Sequence, residues 1–497
     1  MSQGSILGGC YRCCAIVSAR RSFGAVSASA SSPSAVDQMI DYAVAQRKAN
    51  PDMAIDVLMS GLSYTNSQAD PIGSSRLHLA IAQLEADRNS WGKAQDKASS
   101  SLRLAAGCTS GFGTMAADLT LDAGSLATRA LLIMGHDGEA QSLAEECELA
   151  LRAAGSSALA DTQQTPSRSP TSPRSIAHTR SLAMLAIATH TNASTAGGAA
   201  VDALATALGR DPEAAARTDL NLADAAHGLG LLQALQGRWD AAAAPLSAAA
   251  AAATAAAAAD EAVAVAALPA AWMRQQHHRE VAADALTGRA QLLMRAREWC
   301  VAEELMGEAL KMMEAVYGER SPSLAPLLML LGYSYSRSAR VTFAEGLYRE
   351  AAKLLRLDPA RVHQQRQDRQ QRQQQELLEE HPHHHPQLQL TNEQRHAQQS
   401  RSFLLQVSAD AGVHASSVAV LAWRYAQLLW VLPNRGGEAS VWERCAREFW
   451  AASRGLGERE IESVLGGEGH LKGEGPEGSG VFFSTRYRRA WPCLSAS

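Results

Sequence analysis

The sequence predicts an all-α solenoid of stacked helix-turn-helix units, with disordered insertions and tails, and three observations predict it. First, a helix-patterned segment is written twice at a fixed interval: WCVAEELMGEALKMMEAVYGE (299–319) and VTFAEGLYREAAKLLRLDP (341–359) place the same small and large residues 42 positions apart. Second, the chain is 46% hydrophobic but only 5% aromatic, with alanine dominant. That balance suits thin helices in close contact and leaves little β-branched or aromatic material for a sheet. Third, the interval survives interruption. The alanine anchors Ala54, Ala94, Ala140, Ala200, Ala242, Ala302, Ala344 are separated by 40, 46, 60, 42, 60 and 42 residues, and each 60 contains low-complexity filler.

From the N-terminus, residues 1–36 carry Arg12, Arg20 and Arg21 among Ser, Ala and Gly, with no acid before Asp37. This is the character of an organellar transit peptide, mitochondrial or chloroplast, and an unbroken secretory apolar stretch is absent. The alternative is an untargeted disordered tail on a cytoplasmic protein. Residues 37–154 contain degenerate copies of the unit around Ala54, Ala94 and Ala140. A Ser/Pro-rich insertion fills 155–176. The best copies occupy 177–357, interrupted by an Ala-rich insertion near 248–268.

Within a unit, Leu286, Ala290 and Leu293 precede the turn, and Trp299, Ala302, Met306, Ala309 and Leu310 follow it, at spacings of three and four. That is helical periodicity. Two helices approach closely only where no side chain separates their backbones, so the alanine and glycine positions mark the crossings. A lone hairpin of this size cannot cover its own apolar face. Neighbours must stack on it, which explains the repetition.

Residues 360–402 change character. The Gln-, Arg- and His-rich stretch RVHQQRQDRQQRQQQELLEEHPHHHPQLQL has too few apolar residues to build a core and reads as a disordered or loosely helical insertion. A C-terminal helical pair follows at 403–453, anchored on Ala439, and residues 454–497 read as a disordered tail.

The small-residue spacing, the aromatic residue before alanine and the Leu229-Gly230 pair resemble tetratricopeptide repeats. The 42-residue period is similar to the longer-helix class of kinesin light chains and MalT-like regions. The resemblance covers about 37–357 and a copy at 416–453. It departs from the family's pattern at Arg289, where leucine is expected, and only Pro212 matches the family's proline after the second helix. It implies a right-handed superhelix of six to eight helix pairs whose first helices line a concave groove.

No chemistry of an enzyme emerges: the sequence contains no GxxxxGK[ST], HExxH or GxSxG motif, and no catalytic residue or cofactor site is expected. His381, His383, His384 and His385 have the ligand type for a divalent metal, but the alternating prolines and glutamines around them read as repeat expansion, so no metal site is expected. Cys10, Cys13 and Cys14 cluster without the partners of a zinc set, and the other cysteines stand singly. The net charge of −4 argues against nucleic acid, and the Ala tract at 248–259 is too weakly hydrophobic to be a membrane span.

What remains is surface. The resemblance places Asp224, His227, Asp284, Gln291, Arg295, Tyr333 and Arg337 in the groove, with Arg295 and Arg337 equivalent one unit apart. Guanidinium forks bind carboxylates bidentately, so the expected partner is a protein or peptide bearing acidic groups. The expected function is a non-enzymatic scaffold, such as an organellar assembly factor. The alternative is an organellar helical-repeat protein that binds RNA; an enzyme or ATPase lacking its catalytic domain ranks last.

Overall fold

The computed structural model describes residues 34–65, 69–108, 113–157, 173–192, 197–208, 222–264, 269–380, 386–453, 460–466 and 480–493. The chain is an all-α solenoid. Consecutive antiparallel helices pair as α1 (Ala35–Gln46) with α2 (Pro51–Tyr64), α3 (Pro71–Asp87) with α4 (Trp91–Ala106), and α5 (Gly113–Met134) with α6 (Asp137–Ser157). Next come α7 (Pro173–Asn192) with α8 (Gly197–Leu208), α9 (Ala223–Leu235) with α10 (Trp239–Ala264), α11 (Pro269–Arg295) with α12 (Trp299–Tyr317), and α13 (Ala325–Arg337) with α14 (Val341–Leu354). After α15 (Pro359–Glu380) and α16 (Pro386–Asp410) the last pair is α17 (Ala415–Val431) with α18 (Gly436–Ala452), followed by the short α19 (Ile461–Leu465).

One turn recurs between paired helices. Its second-last residue adopts a left-handed conformation: Asn89 (φ 61°), Gly135 (80°), Gly237 (74°), Arg297 (64°), Ala339 (60°) and Asn434 (59°). Where the ladder is complete, two backbone bonds close the preceding helix, as when Arg297 N–H donates to Met294 O and Glu298 N–H to Leu293 O. This is the Schellman arrangement, which satisfies carbonyls that the helix end would otherwise orphan. Five residues after each left-handed position stands an alanine anchor: Ala94, Ala140, Ala242, Ala302, Ala344 and Ala439, all fully buried. Ala54 is fully buried as well. The 42-residue equivalences hold in detail, since Met306 and Tyr348, and Ala309 and Ala351, are buried alike. Of the copies before residue 150, read as degenerate, those at Ala94 and Ala140 keep the same turn, and the one at Ala54 lacks it.

The inner layer consists of the first helices, with α3, α5, α7, α9 and α11 in successive contact. At Gly230 a Cβ would lie 2.6 Å from Leu246 Cγ, so the glycine sets how closely α9 and α10 cross. The solenoid curls tightly enough for distant units to touch: α1 meets α11, where Arg47 lies over the Trp272 ring, and α16 meets α5.

Several boundaries differ from the sequence expectation. The Ala-rich stretch near 248–268 is helix as far as Ala264, continuing α10, because alanine is the strongest helix former and neighbours cover its inner side. α10 is the single helix among the described residues long and apolar enough to cross a membrane; here it packs between α9 and α11. The Gln-rich insertion is helical in α15 and α16, since Gln and Arg are good helix formers and Asp358 accepts from Ala360 N–H (3.1 Å) and Arg361 N–H (3.3 Å). It docks on α18 through Arg366–Glu448 (2.7 Å), while α17 stacks directly on α13 and α14. His381, His383, His384 and His385 lie outside the described residues, as do 158–172 of the Ser/Pro-rich insertion and 1–33 of the expected transit peptide. Ser34 already caps α1 through a reciprocal pair with Asp37.

The largest correction concerns the tail. Of residues 454–497, expected to be disordered, 480–493 fold as an antiparallel hairpin of β1 (Val481–Ser484) and β2 (Arg489–Pro492) inside the curled solenoid. Phe482 pairs across the hairpin with Trp491, and Phe483 with Ala490. One face of the ribbon joins the core of α7, α9 and α10 through Phe482 and Trp491; the other joins the core of α13 to α18 through Val481, Phe483 and Ala490. A two-stranded ribbon is marginal alone in water and is stable here because the helices cover both faces.

Candidate functional site

The site is the inner wall where it grips the hairpin. α11 presents Asp284 and Gln291 on one face, two turns apart. The Gln291 carboxamide reads main chain only: its Nε2 donates to Phe483 O (2.9 Å), and Phe483 N–H donates to its Oε1 (2.8 Å). Asp284 accepts from Ser484 Oγ (2.5 Å), Thr485 N–H (2.6 Å) and Thr485 Oγ1 (2.9 Å), and its second oxygen lies 2.9 Å from His227 Nε2 on α9. Burial alone would raise the Asp284 carboxyl, but His227 and the hairpin donors hold it below the usual carboxylate range.

Three hairpin arginines are read one by one. Arg486 pairs with Asp224 on α9, which His277 also approaches at 3.4 Å. Burial opposes the charge on Asp224, and Arg486 with His277 overcomes it, holding the carboxyl well below its ordinary value. Arg489, with 0% exposure, forks onto Asp137 in the first turn of α6, at 2.5 and 2.8 Å. Arg488 donates to Asn89 and to Gly412 O (2.9 Å), and its guanidinium lies over the rings of Trp91 (4.7 Å) and Tyr317 (5.1 Å). The opposite rim holds backbone: His414 N–H (3.0 Å) and Ser417 Oγ (2.8 Å) both donate to Arg488 O, and Ala490 N–H donates to Ser416 Oγ (3.1 Å). Beneath the hairpin, Arg129, Glu280 and Tyr317 form a buried cluster joining α5, α11 and α12. Burial opposes ionisation of Glu280, and Arg129 keeps its carboxyl below the ordinary value.

Of the sequence-predicted groove residues, Asp224, His227 and Gln291 converge on the hairpin, and Asp284 joins them. Arg295 lies over the Trp239 ring at 4.0 Å. Tyr333 meets Trp299 edge-on at 6.3 Å and carries the Arg424 guanidinium at 4.3 Å. Arg337 is half-buried in the last turn of α13. Arg295 turns to an aromatic face one unit back, where Trp239 opens α10. Sequence reasoning missed Asn89, Asp137, Glu280 and the hairpin itself. The signal available was local: Phe482, Phe483, Tyr487 and Trp491 are crowded into ten residues of a chain that is 5% aromatic.

No protein-family model matches the chain, and no curated protein matches it. Among solved structures, a circular tandem repeat protein with novel repeat topology and enhanced subunit contact surfaces aligns over 84% of this chain and 94% of its own, at 12% identity and a TM-score of 0.24. At that level the likeness carries no argument.

Proposed function

We propose that the protein is a non-enzymatic interaction scaffold whose inner wall binds an extended segment of a partner protein, and that its units belong to the tetratricopeptide class in its 42-residue form. The observation that supports this is the pair of hydrogen bonds between Gln291 and both backbone groups of Phe483. A carboxamide that reads main chain, beside carboxylates that read side chains, holds a polypeptide by position as well as by composition. The class rests on the registry of turns and anchors from Asn89 to Asn434. Because the wall presents Asp137, Asp224 and Asp284, it favours a basic segment over the acidic one first expected. The same carboxylates repel phosphate and weigh against the RNA alternative.

With residues 1–36 as a transit peptide, the scaffold works inside a mitochondrion or chloroplast as an assembly factor. A reporter fused to 1–36 that stays in the cytosol removes that compartment. The binding role is tested by a photo-crosslinking side chain at Arg295, on the inner layer, against one at Leu149, exposed on α6. Protein adducts from position 295 and none from 149 are expected. Adducts from 149 alone refute the groove, and RNA adducts from 295 establish the alternative.

A further inference from the structure

The hairpin is held as a ligand is held. Its arginines and hydroxyls are matched by side chains from α6, α9 and α11, whereas the repeats are held to one another mainly by alanine and leucine. Buried ion pairs add little stability over well-packed apolar residues of the same volume, because each charge must first lose its water. What they add is discrimination, since a segment lacking arginine at the right place leaves a carboxylate buried and alone. A wall that needed only to be filled would be served by leucine.

We infer that the inner wall is a receptor for a basic polypeptide segment of the type Ser/Thr followed by closely spaced arginines, presented by a partner protein, and that residues 480–493 occupy it in cis as a competing copy of that ligand. This rests on the scaffold reading above and names its ligand chemistry. Asp284 reads the hydroxyls, Asp224 the first arginine, Asp137 the last, and Gln291 fixes the main chain ahead of them. Residues 467–479 tether the occupant. A ligand joined covalently to its receptor faces the site at an effective concentration on the order of millimolar, so an outside segment competes only when the joined copy is loosened or the partner holds on elsewhere too.

The test uses the full chain, folded, with a protease site placed within 467–479 and cut afterwards, so that the hairpin stays docked without its tether. A fluorescein-labelled peptide of residues 480–493 is then added in excess and the protein is re-isolated by gel filtration. Uptake of label with unchanged helicity is expected, at least tenfold weaker for a peptide carrying Arg486→Ala and Arg489→Ala, and at least tenfold weaker for the uncut chain. A second variant, Thr485→Glu in the uncut chain, sets a carboxylate against Asp284 and expels the hairpin; it is expected to bind the labelled peptide while its parent does not. Failure of either protein to take up label, uptake that ignores the arginines, or unfolding on cutting each overturns the inference, because the hairpin is then a permanent part of the core. Adducts from position 295 would still stand in that case, so loss of the ligand assignment and loss of the scaffold reading are separable.

Discussion

Asp284→Asn removes one charge and almost no volume, which makes it the sharpest probe of how the hairpin is held. The carboxylate faces four donors: Ser484 Oγ, Thr485 N–H, Thr485 Oγ1 and His227 Nε2. An asparagine keeps one acceptor oxygen and turns the other position into an N–H donor, so donors on that side meet a donor. Losing a hydrogen bond to a charged group costs about 1.5–3 kcal/mol, and stranding a buried donor costs about 1–3 kcal/mol. Allowing for relaxation, the docked hairpin should lose about 3 kcal/mol, or about two decades in its opening equilibrium at 1.4 kcal/mol per decade. Hydrogen exchange followed by mass spectrometry reads this on the peptide covering 481–492, whose Phe483 and Thr485 amides are bonded to wall side chains. Exchange there should accelerate about a hundredfold while α3 and α4 change little, as expected when a segment opens without global unfolding. Acceleration below threefold, with the far-ultraviolet spectrum unchanged, would refute the claim that this carboxylate anchors the ribbon.

Acid should release the same segment. Asp224 and Asp284 have folded values below the ordinary 3.8, so their contribution is fully present above that pH and is lost as pH falls through the depressed values; hairpin exchange, corrected for its intrinsic pH dependence, should rise there first. Asp87 has the opposite sign: burial raises its carboxyl from 3.8 to about 6, so stability drains away as pH rises across that window, by at most about 3 kcal/mol. Asp87→Asn should therefore melt higher than its parent above pH 6 and gain nothing at pH 4. Gly230→Ala should cost about 1–3 kcal/mol in thermal unfolding, because its methyl would overlap Leu246. Ala339→Gly should stabilise by about 1 kcal/mol, since the other turns place glycine or asparagine at that left-handed site, Arg297 excepted.

The architecture was legible because one rule governs every crossing. A helix pair in close contact needs a residue no larger than alanine, and that requirement leaves a mark at a fixed interval which insertions displace without erasing. The turns were half legible. Gly135, Gly237, Asn89 and Asn434 announce a left-handed residue, while Arg297 and Ala339 adopt the same conformation against their own preference, held there by the helices on either side. Asp224, His227, Asp284 and Gln291, which the resemblance puts together in one groove, meet at the hairpin. What could not be read was the occupant. Pairing between Asn89 and Arg488 spans almost the whole chain, and no local pattern encodes a partner that far away. A segment of four-residue strands, flanked by glycine-rich sequence, carries the local signature of a tail until the wall around it is known.

Because the ribbon follows the wall in the chain, the ribosome delivers the container before its contents. During that interval Asp137, Asp224 and Asp284 lack the hairpin donors that meet them in the finished fold. Until the ribbon arrives these carboxylates keep their water, because an unpaired charge is costly to bury. Docking of the ribbon exchanges that water for Arg486 on Asp224 and Arg489 on Asp137, so the hollow becomes dry only once its own occupant has been made.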